Sequence, residues 1–216
     1  MLIPMWAQHK VKSNYEKYSQ VRSTSGKTGR EVAEEILHAN GIYDVDVVKG
    51  EGFLTDHYDP NKKVVCLSPA NFDRPSVAGT AIAAHEVGHA IQHQQGYAFL
   101  RFRTALVPLA NIGSSLSYII IMAGIFLTAL GSAFGSTALW IGAGLMSLAV
   151  LFSIVTLPVE FDASSRAMKQ ITALNIVNEK EYKHARKVLS AAAMTYVAAT
   201  ATAVAELVRI ILLARA

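Results

Sequence analysis

Two histidines and a glutamate stand in the run His85-Glu86-Val87-Gly88-His89. On a helix, residues four apart share a face, so both imidazoles can reach one metal ion. Glu86 lies beside them, placed to take the proton of an attacking water. Two His ligands, a carboxylate base and an open coordination position are the arrangement of zinc peptidases. The spacing is specific: the seven His and ten Glu of this 216-residue chain would produce it by chance roughly 0.01 times.

Zinc needs a third protein ligand. His93 lies eight residues beyond His85, about 12 Å along a continuing helix, too far to share one ion with both others. A pattern with a helix-breaking glycine and a third His ten positions after the first fails too, because Gln92 and Gln95 occupy those positions. His93 is therefore read as a polar residue on the helix face. Glu160 is the better candidate: it is the first charge after a long apolar stretch, where a helical hairpin brings the chain back to the side it left. Nearby, Ser164, Asp162 and Arg166 are candidates for supporting or transition-state roles, as is the more distant His184.

The elements that must hold these groups are legible in outline. A helix is expected over Ser76–Gln95, punctuated by Gly96, and another over Gly29–Asn40, with Val32, Ala33, Ile36 and Leu37 at helical spacing and Gly41 as a stop. Between them lie three β-type runs: Tyr43–Val48, Phe53–Tyr58 and Val64–Leu67. Asp59-Pro60-Asn61-Lys62 reads as the turn of a hairpin, so a small antiparallel sheet is expected. An edge strand over 53–58 or 64–67 can bind peptide by β-augmentation. His57, on the first of these, is read as structural.

The rest of the chain is apolar. Hydrophobic residues make up 52% and charged residues 17%, with a net charge of +4 and a mean hydropathy of +0.30. No Asp, Glu, Lys or Arg occurs over the 56 residues from Thr104 to Val159. Thr104–Leu130 and Thr137–Val159 each supply the roughly 20 apolar residues of a bilayer span, and the small residues between them make a tight turn, so a transmembrane hairpin is expected. Arg101 and Arg103 precede the hairpin, Arg166 and Lys169 follow it, and the turn carries no Lys or Arg. The positive-inside rule then puts both flanks in the cytoplasm. Val188–Ala214 is a third apolar stretch, rich in Ala and Thr, read as a further span over a long soluble helix. In it, Glu206 and Arg209 stand three apart and can pair.

The opening Met1–Ala7 is too short for a span, and whether an anchor precedes Met1 is left open. No charged segment followed by an apolar run marks a cleaved signal peptide. One cysteine, Cys66, excludes an internal disulfide framework. The basic residues are scattered without an aromatic-laced patch, which excludes nucleic acid as a partner.

The run Ala83–His93, the upstream Gly52-Phe53-Leu54-Thr55-Asp56-His57-Tyr58-Asp59-Pro60 and the downstream Leu157-Pro158-Val159-Glu160-Phe161-Asp162-Ala163-Ser164 together resemble the YugP-type membrane neutral zinc metallopeptidases. The resemblance covers the chain from about Ser19 onward. More distantly the chain is similar to gluzincins of the HtpX and CAAX-prenyl endopeptidase type. That resemblance implies Glu160 as third ligand, in agreement with the topological argument. In the distant group an Asp four residues after the ligand Glu supports a zinc-bound His; here that position is Ser164.

The expected fold is a mainly α integral membrane protein with a small α+β zincin-like catalytic unit. Its parts are an α+β unit over 1–103, a transmembrane hairpin over 104–159, a helix over 160–187 carrying the third ligand, and an apolar helix over 188–216. The expected function is a membrane-embedded, zinc-dependent endopeptidase. Glu86 is its general base, His85, His89 and Glu160 hold Zn²⁺, and the site faces the cytoplasm. Partners are the lipid bilayer and a peptide or protein substrate, with self-association left open. The alternative is a non-catalytic scaffold with a structural zinc site. Such sites usually close all four positions, mostly with Cys, and this chain has one. A transporter is disfavoured because the hairpin holds no charge to line a path.

Overall fold

Thr28 starts the first well-marked helix by two reciprocal bonds. Its hydroxyl accepts from the Glu31 amide at 3.3 Å, and Glu31 accepts from the Thr28 amide at 2.8 Å. In the computed structural model, which describes residues 2–215, this helix is α2 (Gly29–Ala39). Ahead of it runs α1 (Leu2–Ser19), to which sequence reasoning assigns no element. Its apolar residues form no continuous stripe. The question of an anchor at Met1 falls outside the described residues.

Three strands follow, β1 (Asp46–Lys49), β2 (His57–Asp59) and β3 (Val64–Leu67). They pair in the order β1-β3-β2, so 64–67, one of the two expected edges, is the central strand, with a partner on each side. β2 and β3 form the expected antiparallel hairpin, but β1 pairs with β3 in parallel, which corrects the all-antiparallel sheet. The cause is the segment between β1 and β2, which carries the chain past β3's near edge to its far one. The expected strand over 53–58 is short for the same reason. Gly52 (φ +94°) and Leu54 (φ +55°) turn the backbone, and Phe53 meets the Tyr15 ring edge-on at 5.2 Å. Asp56 then pins this turn, accepting from the Ser68 amide at 2.7 Å and from the Asn71 side chain.

A short α3 (Pro69–Asp73) leads to α4 (Val77–Gln94), whose N-cap Ser76 accepts from the Gly79 amide at 3.0 Å. The apolar faces of α2 and α4 bury Val32, Ile36, Leu37, Val77, Val87 and Ile91 against Val65 and Leu67 of β3. These elements belong to one compact unit, Met5–Tyr97 with Val159–Thr195. Ala167, Ile171, Ala185 and Leu189 complete its core.

The second unit holds Ala98–Pro158 and Tyr196–Ala216. Three helices run into it: α5 (Ala98–Ala129), α6 (Phe134–Ala173) and α7 (Glu179–Arg215), each long and apolar enough to cross a membrane. Gly131 (φ +75°) turns the chain between α5 and α6. The two helices are antiparallel and close. A Cβ added at Gly113 would stand 2.7 Å from the Leu145 carbonyl, and one at Gly142 would stand 2.5 Å from the Ile121 side chain. Small residues that let backbones approach are how helices pack where lipid removes the hydrophobic drive. α7 joins them: Thr200 donates to the Ser153 carbonyl at 3.3 Å, and Ile210 and Ala214 pack with Ile121, Leu139 and Ala143. Its Glu206–Arg209 pair forms as expected, at 2.5 Å. Outside these contacts, large apolar side chains such as Ile112, Ile119 and Phe126 are exposed.

Candidate metal centre

His85 and His89 lie one turn apart on α4, their rings 4.8 Å apart and nearly perpendicular. Glu160, on the stretch of α6 that belongs to the same unit, stands against both. Its Oε2 is 3.3 Å from His85 Nε2 and 3.6 Å from His89 Nε2. The three donor atoms lie within 4.8 Å of one another, and among the described residues no other His, Cys, Asp or Glu completes the group. The close approach of helices has a local cause. A Cβ at Gly88 would sit 2.6 Å from the Ala163 carbonyl oxygen, so only glycine allows the stretch carrying Glu160 to come this near.

The donor set fits zinc. A tetrahedral ion with ligand bonds of about 2.0–2.1 Å has ligand–ligand edges of about 3.3 Å, close to both His–Glu separations. The hydrogen bonds behind the ligands fit as well. Gln92 Nε2 donates to the Val159 carbonyl and to Asp162 Oδ2, both at 2.8 Å. Its Oε1 therefore faces His89 Nδ1, at 3.0 Å, and accepts from it. With the proton on Nδ1, the Nε2 lone pair of His89 points to Glu160 and is free to ligate. Ser164 Oγ takes the corresponding place behind His85, 3.2 Å from Nδ1.

Asp162 and Arg166 form the next layer. Arg166 Nε donates to Asp162 Oδ2 at 2.5 Å, and its Nη1 donates to Gln95 Oε1 at 2.6 Å, while the guanidinium lies over the Tyr97 ring. Asp162 thus reaches His89 through Gln92. Glu86 is buried. Burial raises its carboxyl above the ordinary value; the charges of His85 and His89 oppose the rise, and those of Glu160 and Asp56 add to it.

His184 is not brought to this group. It lies on α7 with its ring 4.7 Å from Tyr18 of α1. His93 bonds the Tyr58 hydroxyl at 2.8 Å, and His57 bonds the Thr55 carbonyl, so both sit in local structural roles. Sequence reasoning missed Gln92 and Gly88. The signal available for Gln92 was its place three residues after His89, on the same helix face. For Gly88 it was a glycine in mid-helix where alanine would be the better helix former.

Comparison with known proteins gives the chain its family. The model of the family described as "Putative neutral zinc metallopeptidase" matches residues 1–215. The "Putative membrane protease YugP" of Bacillus subtilis (strain 168) is 44% identical over 211 residues, covering 98% of this chain and 91% of that protein. No solved structure matches.

Proposed function

Since the chain belongs to this neutral zinc metallopeptidase family, we propose that it is a membrane-embedded endopeptidase whose His85, His89 and Glu160 hold a catalytic zinc ion. The observation that carries the reading is the meeting of His85, His89 and Glu160, one ligand atom of each within 4.8 Å of the others. When bound, zinc supplies Lewis acidity, which acidifies water and polarises a peptide carbonyl.

The chain's own residues do the rest. Glu86 accepts the proton of the attacking water on its carboxylate and returns it to the departing amine. Gln92 holds His89 in the tautomer that leaves Nε2 free, and Ser164 orients His85. Asp162 and Arg166 hold Gln92 in place. β2, an edge strand of the small sheet, offers backbone groups to an extended substrate. Arg101, Arg103, Arg166 and Lys169 flank the apolar hairpin, which favours a site on the cytoplasmic side.

The test is hydrolysis of casein and of a membrane-protein substrate by the full chain in lipid nanodiscs. Glu86→Gln is expected to lower kcat by at least about a thousandfold while zinc content stays at the wild-type level. Undiminished cleavage by that variant would reject Glu86 as the base. Unfolding on zinc removal, with no cleavage at any stage, would favour a structural zinc site instead.

A further inference from the structure

Lys10, Asn14 and Lys17 fall at spacings of four and three on α1, so they share one face. On α7, Lys183, Arg186 and Lys187 lead by the same spacings to Ser190 and Met194. Both sets line one cleft of about 700 Å³, whose lining residues all belong to the unit Met5–Tyr97 with Val159–Thr195. The helices run antiparallel here. Tyr18 packs on His184, yet Lys10 and Met194 line the same cleft. In a parallel pair those two residues would be about 27 Å apart at 1.5 Å per residue.

Basic residues that are scattered in the sequence thus gather in the fold, which corrects the expectation of no basic patch beside aromatics: five cations and no carboxylate line the cleft, with Lys17 over the Tyr18 ring. Among the described residues no ion pair holds any of the five. The acids nearest in sequence are engaged elsewhere. Glu16 faces Lys12, and Glu181 accepts from the Thr24 amide and hydroxyl. The lining also changes along α7, from Lys183, Arg186 and Lys187 through Ser190 to Ala191 and Met194. From Val188 to Ala205 the helix carries no charge. One turn before Lys10 stands Trp6, 52% exposed, with the Lys10 ammonium 4.8 Å from its ring centre. Exposed Trp beside Lys is characteristic of the level of lipid headgroups.

We propose that this cleft binds the anionic headgroup of a membrane phospholipid. Because the helices are antiparallel, Lys10 stands across from the Met194 end, so cations line the cleft along its length. Position is what favours a lipid: a cluster of Lys and Arg directly ahead of the apolar run of α7, with Trp6 beside Lys10, is the pattern that meets an anionic bilayer surface. None of the lining residues belongs to the metal centre, so the proposal stands independently of the peptidase reading.

The test uses the full chain in nanodiscs of phosphatidylglycerol and phosphatidylcholine, with retained lipid counted by native mass spectrometry. The wild type is expected to retain one phosphatidylglycerol in preference to phosphatidylcholine. The triple substitution K183Q/R186Q/K187Q is expected to weaken that preference by about fivefold for each cation removed at low salt. The charge-preserving K183R/R186K/K187R and the remote K62Q are expected to keep it, and zinc content is expected to be the same in all. Equal retention of the two lipids by the wild type, or an unchanged preference in the glutamine variant, overturns the proposal. So does loss of preference in both triple variants. Displacement of the lipid by soluble glycerophosphoglycerol at equal concentration would assign a free-anion site and overturn it as well.

Discussion

Gln92 accepts from His89 Nδ1 at 3.0 Å while its amide nitrogen is held by the Val159 carbonyl and by Asp162. The two bonds to nitrogen determine which end of the amide faces the imidazole, and so which imidazole nitrogen is left to bind metal. Residues that orient a ligand in this way typically contribute 10–100-fold to metal affinity.

Gln92→Leu keeps the volume and removes the acceptor. Its zinc dissociation constant, measured by competition with a chromogenic chelator, is expected to rise by about 10–100-fold. An affinity equal to wild type would show that the His89 tautomer is set by something else.

Gly88→Ala probes the closeness of the two chain segments. The added methyl meets the Ala163 carbonyl oxygen at 2.6 Å and its carbonyl carbon at 3.2 Å, both backbone atoms that cannot turn aside. Overpacking of this kind costs about 1–3 kcal/mol. The variant is expected to melt at a lower temperature in detergent and to bind zinc more weakly. An unchanged melting temperature would mean that the segments can part without loss.

The cap of α2 supplies a pH-dependent prediction. The Glu31 carboxyl lies below its ordinary value because it accepts hydrogen bonds from the Thr28 amide and hydroxyl. A depressed carboxyl stabilises the fold above its unfolded pKa and ceases to do so as the pH falls through its folded one. Thr28→Ala is expected to cost about 1 kcal/mol near neutrality. The gap from wild type is expected to narrow as the pH falls below about 4. A gap that widens on acidification would contradict the reciprocal cap.

How much of this was legible beforehand follows from range. His85, Glu86 and His89 are near in sequence, so helical spacing alone groups them. Glu160 is distant, but the uncharged 56 residues before it force a hairpin, and a hairpin returns. The α2 and α4 helices announce themselves through capping residues and apolar spacing. The parallel pairing of β1 was not legible, because nothing local to Asp46–Lys49 says which edge of β3 it will meet. Nor was the place of His184, whose neighbour Tyr18 lies on a helix with no apolar stripe. Gln92 looked like an ordinary polar residue on a helix face, since its partners Val159 and Asp162 are 67 and 70 positions away.

If two imidazoles and the carboxylate of Glu160 hold one zinc ion with room left for water, the ion's own ligands will say so. X-ray absorption at the zinc edge, on wild type and on Glu160→Ala, reads those ligands. One zinc per chain is expected, with two imidazole nitrogens and oxygen ligands at about 2.0–2.2 Å, and loss of the ion or an altered oxygen shell in the variant. A first shell unchanged by Glu160→Ala, or a fourth protein ligand closing the shell, would contradict that arrangement.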